Sequence, residues 1–322
     1  MYKYCIIGFG ISGQILLLEL IKANINPKDI ILCDETFLGG DLMLKYGSVM
    51  SNTPWFKTKT ALETYTANLP NFPPEKCTPV REIAKACLEV ALQTGKHVEK
   101  LTTTVTSLIY TTEWEIKHLY GTIYASTVFI TIGGKENQLD ISIPTIPLSI
   151  ALDKEQLKHV ISQDDIISVF GTSHSGTIVL DNLESLQIQT YGIYKTPEPF
   201  QFEPESYSGL KEGSSVIAKA ILNNEYKQVT IIPWNDPLVI HKALRKTTKA
   251  IVATGFKPKS ILGDKFIAYE PSTGKLMAGP NLYGFGLAYP GVTVQNTITY
   301  QDNSVLSYQS QIQKCLPNIL KA

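Results

Sequence analysis

The residues of this sequence best suited to chemistry are glycines at fixed spacing. Gly8, Gly10 and Gly13 stand in the run Gly8-Phe9-Gly10-Ile11-Ser12-Gly13, a G-x-G-x-x-G pattern. The first glycine permits a tight turn. The second lets the backbone approach a pyrophosphate, and the third lets a helix pack closely on a strand. A helix opening at Ile11 and Ser12 would direct free N–H groups and the positive end of its dipole at phosphate oxygens. Asp34, followed by Glu35, lies about 20 residues beyond the last glycine, where such turns are served by an acid that binds a ribose hydroxyl. The run Gly171-Thr172-Ser173-His174-Ser175-Gly176 repeats the pattern with Ser173 in place of the middle glycine. That side chain crowds a phosphate slightly but can donate a hydroxyl hydrogen bond. The spacings predict two sites for dinucleotide-like ligands.

Weaker candidates surround the two turns. Gly39-Gly40 follows the acid and either lets the backbone run close to a ligand or forms a plain turn. Asn52 and Thr53 can hydrogen-bond a ring edge and Trp55 can wall a planar ligand, unless the loop is merely solvated. Lys195 sits at the tip of the strand after the second turn, where an acid would read an unphosphorylated ribose. It is either a 2′-phosphate ligand or an exposed loop lysine. His97, His118, His159 and His241 lack metal-like spacing, and no metal site is expected. The five cysteines (Cys5, Cys33, Cys77, Cys87, Cys315) form no C-x-x-C and no zinc-ligand pattern.

Periodicity predicts the elements that hold these residues. Tyr2 to Ile7 reads as a strand, Gln14 to Ile21 as a helix and Asp29 to Cys33 as a second strand. Helical spacing spans Val80 to Gln93 and stops at Gly95. Four short period-two segments follow, at 97–101, 103–110, 114–117 and 120–124, and then a separate buried strand over 128–134 that contains Gly133. A helix is expected over 153–161. After it the opening arrangement recurs: strand 166–170, the second glycine turn, helix 177–183 and strand 188–195. Segment 196–213 is irregular and rich in proline and aromatics. A helix over 214–222, a strand over 229–233 and a strand over 249–256, containing Thr254-Gly255, complete the repeat. Asn281 to Gly291, containing Gly286-Leu287, precedes a terminal amphipathic helix bearing Val305, Leu306, Tyr308, Ile312, Cys315 and Leu316. The chain thus carries an internal duplication of one architecture.

Composition narrows the function classes. The 322 residues include 29 basic and 29 acidic side chains, a formal net charge of zero that offers no electrostatic case for nucleic acid or an anionic membrane surface. Hydrophobic residues make up 43%, enough for filled cores. No apolar run reaches the roughly 18 residues of a transmembrane helix, and the sequence opens on a strand rather than a signal-peptide pattern. A cytoplasmic protein is the expectation.

Together these motifs resemble the two-dinucleotide-binding-domain flavoproteins: pyridine nucleotide–disulfide oxidoreductases, flavin-containing monooxygenases and lysine or ornithine N-hydroxylases. The resemblance rests on both glycine turns, Asp34, Gly39-Gly40, the strand ends Thr131-Ile132-Gly133 and Ala253-Thr254-Gly255, and the terminal glycine segment. It implies an α/β fold of two Rossmann-like three-layer domains. The FAD domain, 1–145 and 256–322, is interrupted by an NAD(P) domain, 146–255. Gly8, Gly10, Gly13 and Asp34 would hold FAD; Gly171, Ser173, His174, Ser175 and Gly176 would hold NADPH or NADH. His174 would contact a phosphate, gate the nicotinamide or cap its turn. Two departures matter. No redox-active C-x-x-C is present, and Leu287 stands where many members place an aspartate on the ribityl chain. The resemblance implies an FAD-dependent NAD(P)H oxidoreductase, monooxygenase-like, acting on a small molecule. The alternatives are a flavoprotein reductase or oxidase passing electrons to a partner or to oxygen, and a non-enzymatic FAD/NADP-binding protein. No catalytic side chain is identified, because flavin chemistry needs little from the protein. A homodimer remains open; nucleic acid and membrane are not expected partners.

Overall fold

The computed structural model describes residues 1–202, 209–259, 261, 267–295, 298–300 and 304–321. Two compact units divide the chain. One comprises Met1–Gly47, Thr53–Lys135 and Pro258–Ala322; the other comprises Ser48–Asn52 and Glu136–Lys257.

The first unit is built on a sheet whose parallel centre runs Leu282–Gly284, Gly121–Ile130, Tyr2–Ile7, Ile30–Asp34, Glu99–Thr102. Tyr2–Ile7 lies at the middle, with Ile7 opposite Cys33 on one side and Ile130 on the other. Burial on both faces explains why its sequence reads as a continuous apolar run rather than an alternation. Ile11–Lys22 follows directly. Every residue from Ile11 to Leu20 is buried, because the helix is enclosed by the sheet and by helices Val80–Thr94 and Val305–Ile319. Enclosure leaves Glu19 inside the protein, and a buried carboxylate needs partners. It accepts hydrogen bonds from the Tyr65 hydroxyl and from the amides of Gln309 and Gln313, the last at 2.7 Å.

The second unit has an all-parallel sheet in the order Thr145–Ile146, Lys249–Val252, Ile166–Phe170, Gln189–Tyr194, Val229–Pro233. Ile166–Phe170 takes the central place, and helix His174–Ser185 leaves its carboxyl end. Each sheet therefore turns from its central strand into a helix at a glycine, and the two units repeat one plan.

Several predicted elements differ. Segments 120–124 and 128–134 are one strand, Gly121–Ile130. Its first half pairs antiparallel with Trp114–His118 and is partly exposed, whereas its second half is parallel and enclosed. The change of pairing alters the hydrophobic pattern and mimics a break at Ser126-Thr127. The helix expected over 153–161 shrinks to Lys154–Lys158, which buries only Leu157. The expected strand over 249–256 ends at Val252. Helix Pro237–Leu244 stands where periodicity marks no element, although Asp236 caps it by accepting the N–H groups of Leu238 and Val239 and Pro237 occupies its first turn.

Candidate functional site

The first glycine turn is shaped by contacts from three neighbouring segments. Gly8 has φ +93°, and a Cβ there would lie 2.7 Å from the Thr131 carbonyl oxygen. Only glycine fits this left-handed, crowded position. The Thr131 hydroxyl donates to the carbonyls of Gly8, at 2.7 Å, and Ile7, at 3.0 Å. Gly13 lies against the Gly8 carbonyl, with no room for a side chain. Gly10 differs: a Cβ there would meet nothing within 4 Å. Its constraint comes from no protein neighbour, as expected where the backbone must leave space for a ligand.

Gly10 is the N-cap of helix Ile11–Lys22, no side chain caps that end, and its first turn has no acid. The leading N–H groups and the helix dipole are therefore left for an anion. Two further glycine segments border the turn. A Cβ on Gly40 would lie 3.0 Å from the Gly10 Cα, and one on Gly286 would collide with Ser12. Gly133 also has free space beside its Cα. Gly40 and Gly286 thus meet the turn at Gly10 and Ser12, and Gly133 follows Ile132, whose Cα lies against Gly8. Leu287 is half-buried beside them and has no acidic group to offer.

Asp34 has a structural task as well as the one its position suggests. Its Oδ2 accepts the Phe9 N–H at 2.7 Å, and its Oδ1 accepts the N–H groups of Thr36 and Phe37 at 2.9 and 2.8 Å. Three main-chain donors thus occupy the carboxylate, which joins the glycine turn to the next strand tip. The Gln14 amide completes this arrangement by donating to the Phe9 carbonyl at 2.8 Å. Glu35 accepts the Thr104 hydroxyl at 3.1 Å.

The second turn repeats the first in its own unit. Gly171 has φ +101°, and a Cβ there would lie 2.9 Å from the Ala253 carbonyl carbon. Gly176 packs on the Gly171 carbonyl. Ser173 is the N-cap of helix His174–Ser185, but its side chain makes no capping bond, and again the first turn has no acid. The Thr177 hydroxyl donates to the carbonyls of Thr172 and Ser173, at 3.1 and 3.0 Å. The Thr172 hydroxyl bonds the Pro199 carbonyl. Ser175 is half-buried. Thr254 and Gly255 are exposed, and both carbonyls accept from Asn137. At the strand tips, a cleft of about 480 Å³ is lined by Tyr194, Lys195, Thr196, Pro197, Pro233 and Asn235. Lys195 is exposed there.

Three expectations change. His174 Nε2 lies 3.0 Å from the Met50 carbonyl, and its Nδ1 is buried without a partner. Burial holds the imidazole below its usual range, partly offset by the Met50 contact. Through this contact the ring ties the second turn to the Met50 main chain. Asn52 belongs to the second unit and donates to the Gly209 carbonyl at 3.3 Å, whereas Thr53 belongs to the first. Trp55 is fully buried and packs edge-on against Phe72, so it walls no ligand.

Sequence reasoning missed Gln14, the Thr131 hydroxyl and an ion pair between Lys259 and Asp41, Nζ to Oδ2 at 2.7 Å. Gln14 carried a signal, a polar side chain inside an apolar helix. Burial would raise the Asp41 carboxyl, but Lys259 and Lys45 outweigh it and hold it below the usual carboxylate range. None of the five cysteines is in a disulfide, and all are buried. Among the described residues no cluster of His, Cys, Asp or Glu can hold a metal, and no helix is long and apolar enough to cross a membrane.

No protein-family model matches the sequence, and no curated protein matches it. Solved structures do match. Bacillithiol disulfide reductase from Staphylococcus aureus superposes with a TM-score of 0.68 at 12% identity, over 99% of this chain and 98% of that one. L-lysine 6-monooxygenase from Pseudomonas syringae gives 0.66 at 10% identity, over 100% and 99%. A mutant flavin monooxygenase from Stenotrophomonas maltophilia gives 0.64 at 12% identity, over 100% and 99%. The chain has the fold of the two-dinucleotide-binding-domain flavoproteins. This shared fold accounts for the duplicated strand–glycine turn–helix, and for the return of the chain to its first sheet after the second.

Proposed function

We propose that this protein is an FAD-dependent oxidoreductase that uses NAD(P)H, with FAD in the first unit and the nicotinamide cofactor in the second. The observation that carries the reading is the pair of uncapped helix N-termini, each without an acid in its first turn and each set by a left-handed glycine. These ends fit two diphosphates, and the space beside Gly10 and Gly133 fits the close approach that FAD requires. Gly8, Gly10, Ile11, Ser12, Gly13, Gly39, Gly40, Gly133 and Gly286 would border FAD. Asp34 has a free Oδ2 lone pair for a ribose hydroxyl while it holds the turn. Gly171 to Gly176 would border the second dinucleotide. Lys195, in the cleft at the strand tips, favours a 2′-phosphate and hence NADPH.

FAD, when bound, supplies hydride acceptance and, once reduced, oxygen activation. This chain's residues bind, orient and exclude water. Five buried cysteines leave no thiol at the surface to relay electrons to a disulfide. That favours a monooxygenase-like reaction with a small molecule over a disulfide reductase working through protein thiols.

The test is an absorbance spectrum of the purified protein, followed by anaerobic NADPH and, separately, NADH. Flavin bands that bleach, faster with NADPH, are expected. A protein that stays colourless after incubation with FAD overturns the reading, and flavin that neither nucleotide bleaches overturns the enzymatic part of it. NADPH oxidation that depends on an added amine or thioether separates monooxygenase from reductase.

A further inference from the structure

Lys259 follows the point where the chain re-enters the first unit, and two of its groups reach different segments around the first glycine turn. Its main-chain N–H donates to the Gly133 carbonyl at 3.1 Å. Its Nζ meets Asp41 Oδ2 at 2.7 Å, and Asp41 directly follows Gly39-Gly40. Asp41 Oδ1 also meets Lys45 Nζ at 3.1 Å, one helical turn on. Both segments that Lys259 joins turn on left-handed glycines. Gly39 and Gly40 have φ of +87° and +70° and Gly133 has +72°, a backbone conformation that glycine adopts without steric cost. Gly40 nearly touches Gly10, and open space lies beside Gly10 and Gly133.

We propose that Lys259 is a positioning residue for the dinucleotide at the first glycine turn, acting as a clasp that joins the Gly39–Asp41 segment to Gly133. The proposal rests on the reading of that turn as the FAD site. Lys259 works through Asp41 and Gly133, not by touching the ligand. An ammonium bonded to a half-buried carboxylate is a stronger and more directional tie than an exposed ion pair. It holds two glycine segments in the one arrangement that leaves room beside Gly10, so loss of the tie speeds escape of the ligand rather than slowing its arrival.

The clasp and a direct charge effect predict opposite signs for Asp41. If Lys259 simply attracted the diphosphate, Asp41→Asn would free its charge and tighten FAD binding. If it is a clasp, Asp41→Asn weakens binding as Lys259→Ala does, and the double variant is no worse than either single one.

The experiment measures FAD binding and release by flavin fluorescence, on apoprotein reconstituted with FAD, for wild type, Lys259→Ala, Lys259→Arg, Asp41→Asn and the double variant. Lys259→Ala and Asp41→Asn should each weaken FAD about tenfold, mainly through faster release. Lys259→Arg should restore most of the loss, and the melting temperature of the apoproteins should change little. Tighter binding by Asp41→Asn, or unchanged release from Lys259→Ala, overturns the clasp while leaving the FAD site standing. Wild-type protein that takes up no FAD overturns both. Should Lys259→Ala fail to fold, Asp41→Asn and Lys259→Arg still decide the sign.

Discussion

The Asp34 carboxylate accepts the Phe9 N–H at 2.7 Å, bridging the glycine turn after one strand and the tip of the next. An acid at this position therefore organises protein before it meets any ligand. Asp34→Ala should lower unfolding free energy by about 2 kcal/mol, because the part-buried N–H groups of Phe9 and Phe37 lose their acceptor. Asp34→Asn should fall between the two, since one oxygen remains. Urea denaturation checks this. Wild-type stability in the alanine variant would mean that water satisfies these donors and the bridge is incidental.

Gly10 and Gly13 should respond oppositely to substitution. Gly10 has open space at its Cβ and φ −71°, which any residue adopts. Gly10→Val should change stability by no more than about 1 kcal/mol yet abolish FAD retention. Gly13→Ala places a methyl against the Gly8 carbonyl and 2.8 Å from the Thr131 Oγ1. It should destabilise the fold by about 3 kcal/mol. Thermal melts paired with flavin content separate the effects, and normal flavin content in Gly10→Val would sink the assignment of the first turn.

His174 should make stability fall as the solution turns acid. Its folded value is depressed from about 6.5 by burial. Just below that pH the unfolded chain binds a proton that the folded chain does not, so unfolding takes up protons and stability rises with pH through this window. His174→Gln should flatten the slope by less than one proton, read from denaturant midpoints between about pH 5 and 7. An unchanged slope would show that the ring titrates as freely folded as unfolded.

Much of this was legible because glycine spacing is dictated by the backbone. Gly8, Gly13, Gly171 and Gly176 each sit where a Cβ would strike a carbonyl, and a steric prohibition of that kind leaves its mark in the residue type. Side-chain partners are less legible, since a partner 25 or 218 residues away leaves no local trace. That is why the main-chain role of Asp34 and the Lys259–Asp41 pair are both silent in the sequence. Trp55 misleads for a related reason. Its polar neighbours in sequence suggest a loop surface, but tertiary packing buries it.

The Glu19 network has a consequence for how the chain is made. Glu19 precedes Gln309 and Gln313, whose amides engage its carboxylate, by 290 and 294 residues. On the ribosome the helix Ile11–Lys22 therefore waits through that whole interval before Glu19 gains these two amides beside the Tyr65 hydroxyl, while the second sheet draws its five strands from one uninterrupted stretch, Glu136–Lys257. Vectorial synthesis thus brings the strands of the second sheet together before the first unit gains its last partners, so the interrupted unit is the later of the two to close.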